Sequence, residues 1–155
     1  MTKDVLVSIK GMQFMGVEDE PDEPIEIITG GEYYFRNGSH YVKYEEVFED
    51  CAETTANLVK IKPDRIEVRK RGAANVHMVF EENKKNITYY ETPFGKIQMG
   101  VSTTGIRIKE DEEKMHVRIE YTLDMNDAYV ADCTLDMNVL SKVPKNSKED
   151  KKGRS

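Results

Sequence analysis

No stretch of this chain is apolar over the roughly 20 residues a helix needs to cross a bilayer. The opening residues, Met1-Thr2-Lys3-Asp4-Val5, have none of the apolar core of a secretory leader. Both absences predict a cytoplasmic protein. Cysteine is scarce: Cys51 and Cys133 are the only two. In a reducing compartment they are expected to remain thiols. The triplets Asn37-Gly38-Ser39 and Asn86-Ile87-Thr88 match the glycosylation pattern but carry no meaning there.

Catalytic signatures are missing too. GxSxG, a Walker loop, a dinucleotide fingerprint, HExxH and CxxC do not occur. No catalytic residue is assigned and no cofactor is expected. The acidic run Glu18 to Glu23 does not follow the order of acids and glycine in a calcium loop, so it reads as solvated. Basic excess is absent as well. The chain holds 23 Lys and Arg against 29 Asp and Glu, a net charge of -6, and its isoelectric point is near 5.2. That balance argues against general binding to nucleic acid and against docking on an anionic membrane.

What the chain has is alternation. Met115, Val117, Ile119, Tyr121, Leu123 and Met125 alternate with His116, Arg118, Glu120, Thr122 and Asp124. Period two means an extended strand with one dry and one wet face. The pattern recurs from about Lys3 to Val143, with turn residues between segments. It predicts an all-β fold: a single antiparallel, up-and-down β-barrel of about 8–10 strands. Closing a meander removes its unpaired edges. All eight tyrosines fall in predicted strands. The barrel domain is expected over residues 1–143, followed by a disordered polar tail, 144–155.

Turn chemistry sets several registers. Asn37-Gly38 suits a type I′ hairpin, because both residues tolerate positive φ. It would pair Phe35 with His40 and Tyr33 with Val42. Pro63-Asp64 would pair Ile61 with Ile66 and Val59 with Val68, leaving Lys60 opposite Glu67 outside. Gly30-Gly31 suggests a bulge or bend. Residues 75–80 and 86–92 are expected to pair with each other. At Thr104-Gly105 the apolar parity switches, which calls for a bulge. In the last hairpin odd positions are apolar in both strands. A three-residue loop, Asn126 to Ala128, would reconcile them by pairing Met125 with Tyr129, Tyr121 with Cys133 and Ile119 with Leu135. Over Glu45 to Val59 helical spacing competes with strand residues, and a loop at 49–53 is favoured.

Candidate chemistry is thin. His40, His77 and His116 lie on separate strands, and His116 has wet parity, so no metal site is assigned. Glu45 and Glu46 are adjacent on a strand and face opposite ways, which rules out a carboxylate pair. Glu46 has inward parity beside Tyr44 and needs a partner if buried. Arg69 and Arg71 have outward parity, though a bulge at Gly72 would turn Arg71 in. Tyr44, Glu46, Arg71 and Tyr90 are therefore the candidate ligand-binding cluster. The competing reading is a structural ion pair. Cys133 lies in the apolar run Tyr129, Ala131, Cys133, Leu135, Met137 and reads as core rather than nucleophile.

The order Gly31-Glu32-Tyr33-Tyr34, Tyr44-Glu45-Glu46, Arg71-Gly72, Met78, Phe80, Tyr90-Glu91-Thr92-Pro93-Phe94-Gly95, Thr103 and Tyr121 resembles the YwiB-like family. That resemblance implies a bacterial cytoplasmic protein with a calycin-type, lipocalin-like barrel, and it implies no substrate. Two functions follow as expectations. The first is a barrel that holds a small, partly apolar ligand. The second is an interaction or dimerisation module with a side-chain-filled barrel, using Tyr34, Tyr41 and Val47 on its outer face. A cavity of about 300 Å³ or more would favour the first.

Overall fold

The computed structural model describes residues 1–11, 26–47, 54–72, 75–92 and 95–142. Ten strands run in chain order: β1 (Asp4–Lys10), β2 (Glu26–Arg36), β3 (Ser39–Val47), β4 (Thr54–Lys62), β5 (Arg65–Gly72), β6 (Val76–Glu81), β7 (Lys84–Thr92), β8 (Gly95–Glu110), β9 (Lys114–Met125) and β10 (Ala128–Ser141). They form one antiparallel sheet in the order β6-β5-β4-β3-β2-β1-β10-β9-β8-β7. Each strand neighbours the next in sequence, and β1 pairs with β10. The sheet is an up-and-down barrel, closed except between β6 and β7. The expected acidic loop, the 49–53 loop and the polar tail lie outside the described residues.

Alternation places the core. Val5, Val7, Val42, Val59, Ile61, Ile66, Val68, Phe80, Val117, Ile119 and Val139 are almost fully buried on the inner face. Phe80 meets Tyr121 edge-on across the interior, ring centres 4.9 Å apart. The Asn37-Gly38 and Pro63-Asp64 hairpins hold the expected registers. Asn37 and Gly38 take φ of 52° and 79°. The parity switch on β8 is a bulge between Thr103 and Gly105.

Three local expectations are corrected. Gly30-Gly31 makes no bulge, since the β1–β2 register runs through it without a shift. Glycine is needed at 31 because a Cβ would stand 2.6 Å from the Lys43 carbonyl and 3.0 Å from Val7. Residues 126–128 are not a three-residue loop. Asn126 and Asp127 form a two-residue turn with φ of 50° and 68°, and Met125 pairs with Ala128 rather than Tyr129. The extra residue is absorbed by a bulge between Tyr129 and Ala131, after which Tyr121–Cys133 and Ile119–Leu135 pair as expected.

The third correction concerns β6 and β7, which share no ladder although a two-residue turn joins them. That turn is drawn onto β8. Asn83 N donates to Thr103 O at 2.8 Å, and Ile106 N donates to the Glu82 carboxylate at 3.4 Å. The pull commits β7 to β8 along its full length and separates it from β6.

Antiparallel order gives the barrel two unlike ends. The connections after β2, β4, β6 and β8 lie at one end and span two or three residues each. Strands β1 and β3 finish at the other end, and each is followed by a longer stretch of sequence before the next strand.

Candidate functional site

Towards the end where β1 and β3 finish, β3, β4 and β5 place polar side chains on the apolar face. Glu46 faces inward and Glu45 outward, as parity requires. The partner of Glu46 is Lys70, not Arg71. Lys70 Nζ donates to Glu46 Oε1 at 2.8 Å and to Asn57 Oδ1 at 2.7 Å, and Asn57 Nδ2 donates to Glu46 Oε1 at 3.0 Å. Lys70, Asn57 and Thr55 are all buried.

Arg71 is exposed, and Gly72 does not rotate it inward. Opposite Gly72 stands Thr55, and Arg71 stays in step with outward Ala56. Tyr44 is buried, and burial first, then the Glu46 charge, push its hydroxyl pKa above the usual range. Tyr90 packs half-buried against the core. Of the four candidate residues, the structure thus brings Tyr44 and Glu46 together and leaves Arg71 on the outside. The sequence already carries the missed signals. Lys70 is in step with Ile66 and Val68, and Thr55 and Asn57 are in step with Val59 and Ile61.

A buried ion pair needs its remaining donors and acceptors met. Asn57 does much of that for Glu46 and Lys70. Thr55 is different: its hydroxyl is fully buried and has no hydrogen-bond partner among the described residues. The Thr103 hydroxyl on β8 is in the same condition.

At the opposite end Tyr33, His40 and Glu110 form a chain. Tyr33 Oη lies 2.7 Å from His40 Nδ1, and His40 Nε2 lies 3.1 Å from Glu110 Oε1. β3 and β8 are not sheet neighbours, so this contact ties opposite walls together. Burial, then the Glu110 charge, raise the Tyr33 pKa. No local pattern reveals a pair separated by 70 positions. The other histidines have their own carboxylates, His77 with Glu67 at 3.1 Å and His116 with Asp136 at 3.0 Å. Among the described residues no group of His, Cys, Asp and Glu converges on a metal position.

Between these ends, among the described residues, side chains fill the core. The void lined by Ile9, Tyr44, Val59, Ile66, Val68, Val117, Ile119, Leu135 and Met137 measures about 10 Å³, room for about one water. Cys133 packs at the edge of this core. Burial raises its thiol pKa, the Tyr121 hydrogen bond lowers it, and Asp132 raises it further; the net shift is upward. A thiol in that state is a poor nucleophile at neutral pH.

The outer wall carries apolar groups. Tyr34 and Tyr41 stack at 5.0 Å, while Val47 is exposed. Leu6 pairs across strands with Leu140, and Ile28 lies on the next strand, opposite Ser8. All three of these aliphatic side chains are exposed. Among the described residues no helix is long and apolar enough to cross a membrane.

An all-β meander closed through β1 and β10 defines a small β-barrel protein. The chain belongs to the family described as a domain of unknown function, DUF1934, which matches residues 7–137. It is similar to the uncharacterized beta-barrel protein YwiB of Bacillus subtilis (strain 168), at 29% identity over 110 residues, 71% of this chain and 76% of that protein. The crystal structure of the ywiB protein from Bacillus subtilis superposes with a TM-score of 0.72 at 24% identity, covering 90% of this chain and 92% of that one.

Proposed function

We propose that this barrel works from its outside, as a cytoplasmic protein-interaction module whose interior is scaffold. One observation carries the reading: among the described residues the void in the middle of the barrel measures about 10 Å³, against about 300–1,000 Å³ for a ligand pocket. Exposed Leu6, Ile28 and Leu140 supply the apolar contact such a module needs. The partner is a second protein, and a second copy of the chain is the alternative. The acidic composition favours neither nucleic acid nor an anionic membrane as partner. A calycin-type, lipocalin-like architecture would by itself bring no ligand with it.

The test is affinity purification from the native host, followed by sedimentation of the eluate. A stoichiometric protein complex that is lost in Leu6→Glu/Ile28→Glu supports the reading. Native mass spectrometry that finds a retained small molecule and no protein partner overturns it.

A second reading is favoured by the unpartnered Thr55 hydroxyl. A small polar ligand would bind at the Glu46 end of the barrel, seated by Tyr44, Glu46 and Tyr90. Glu46→Gln should then abolish ligand-induced thermal shifts. Equal shifts in both proteins would remove this reading.

A further inference from the structure

We infer that the seam between β6 and β7 is a zipper with a second, closed state, reached when Lys84 passes from strand into turn. Such a seam is a property of the barrel, whichever partner or ligand it serves.

Parity keeps the seam open. β6 buries even-numbered Val76, Met78 and Phe80. β7 also turns its even positions inward, since Asn86 stands opposite buried Val101 and Thr88 opposite buried Met99. The two-residue turn at Glu82–Asn83 sets Glu81 against Lys84, an odd residue against an even one. A ladder continued from that pair would put Phe80 opposite outward Lys85 and bring the two faces into conflict. The β9–β10 hairpin meets the same conflict and resolves it with its bulge between Tyr129 and Ala131. β6 and β7 leave it unresolved and do not pair.

Moving the turn by one residue removes the conflict. With Glu82, Asn83 and Lys84 as a three-residue loop, Glu81 meets Lys85, Val79 meets Ile87 and His77 meets Tyr89 on the outer face. Inside, Phe80 meets Asn86, Met78 meets Thr88 and Val76 meets Tyr90. The outer pairs are then one of opposite charge, one aliphatic and one of two rings, the kinds that stabilise a ladder.

The peptide groups agree. Asn126 N donates to Gln98 O, so Gln98 faces β9, Met99 faces β7, and Thr88, opposite Met99, faces β8. The odd-numbered peptide groups of β7 therefore face the seam. On the other side Lys62 and Arg65 close a two-residue turn, so odd groups of β5 face β4 and even ones face β6. Phe80 and Met78 answer Ile66 and Val68, which leaves the groups of His77, Val79 and Glu81 facing the seam. Each outer pair of the closed register thus joins peptide groups that already point at each other.

Few contacts hold the open state. They are Asn83 N to Thr103 O at 2.8 Å, Ile106 N to the Glu82 carboxylate at 3.4 Å, and the pairing of Lys84 with Thr103. Closing trades them for a new ladder and covers both edges of the sheet. It also completes an inner rung. Tyr44, Asn57, Lys70 and Val76 already stand side by side across β3, β4, β5 and β6, and Tyr90 becomes the fifth member. The zipper therefore opens and shuts one strand away from the buried Glu46–Lys70 pair.

Two cysteine pairs test the register in a Cys51→Ser/Cys133→Ala background: Val79→Cys/Ile87→Cys and Val79→Cys/Lys85→Cys. Each is oxidised with glutathione disulfide, and the crosslinked fraction is followed by mass spectrometry. The closed register sets positions 79 and 87 directly opposite, about 5.5 Å apart at Cα, within the range of about 4.4–6.8 Å for a disulfide. The 79–87 pair should therefore crosslink faster. Strands that merely splay from their turn would favour 79–85, the pair nearer the turn. Deleting Lys84 fits the two-residue turn to the closed register. In that chain the Ile87 and Tyr89 amides should exchange about tenfold or more slowly than in wild type. Equal crosslinking rates, faster crosslinking of 79–85, or unchanged exchange in the shortened chain overturns the inference. If the shortened chain does not fold, the cysteine pairs decide alone.

Discussion

Lys70 Nζ stands 2.8 Å from Glu46 Oε1 on the apolar face of the wall, with 6% and 10% of the two side chains exposed. Removing one member of such a pair strands the other charge, which costs about 3–5 kcal/mol. Lys70→Met should therefore lower stability by about that amount. Glu46→Gln/Lys70→Met should recover most of it, because no lone charge is left inside. Urea midpoints of the two single variants and the double variant form the cycle, and simple additivity would show that the pair is not coupled.

Phe80 is fully buried and meets Tyr121 edge-on. Phe80→Ala should cost about 3–5 kcal/mol. The hole it leaves is apolar and should admit benzene, read as a thermal upshift absent from wild type. A wild-type upshift of equal size would contradict a filled interior.

Two glycines should respond unequally to alanine. Gly38 has φ +79° and nothing within 4 Å of an added Cβ, so the loss is about 1 kcal/mol of backbone strain. Gly72 has φ +134°, and an added Cβ there would run into the Thr54 carbonyl and stand 3.0 Å from Thr55 Cα. Gly72→Ala should cost roughly 2–3 kcal/mol. Thermal melts of the two variants rank them directly.

How far the sequence discloses this architecture depends on how local each cause is. The hairpins at Asn37-Gly38 and Pro63-Asp64 are legible because turn residues and apolar parity agree within a few positions. In β9–β10 parity fixes the pairing of Tyr121 with Cys133 but not how the odd residue is absorbed. A three-residue loop and a two-residue turn with a bulge satisfy it equally, and the chain takes the latter. The break between β6 and β7 is illegible because its cause, the grip of Thr103 and Ile106 on the 82–83 turn, comes from distant sequence. Within the candidate site, Glu46 reads as inward. The same parity turns Lys70 inward and Arg71 outward, and expecting a bulge at Gly72 obscures it.

Glu67 gives a pH dependence. Burial alone would raise its pKa, but the His77 hydrogen bond and the charges of Arg65, His77 and Lys60 outweigh that and lower it. A carboxylate with a depressed folded pKa adds stability above its unfolded pKa and loses it as pH falls through the folded value. Wild type should therefore lose stability more steeply than Glu67→Gln below about pH 5. Urea unfolding in steps down to about pH 3 compares the slopes, and parallel curves would remove Glu67 from the account.

The Asp4–Lys142 hydrogen bond and the unladdered turn at Glu82–Asn83 give the molecule a second natural starting point. Linking residue 142 to residue 1 and cutting between 82 and 83 would yield a permuted chain that begins at β7 and finishes at β6. Every strand would then be laid down beside its predecessor, from one free edge of the sheet to the other, and no hydrogen-bonded ladder would have to be broken to make the cut.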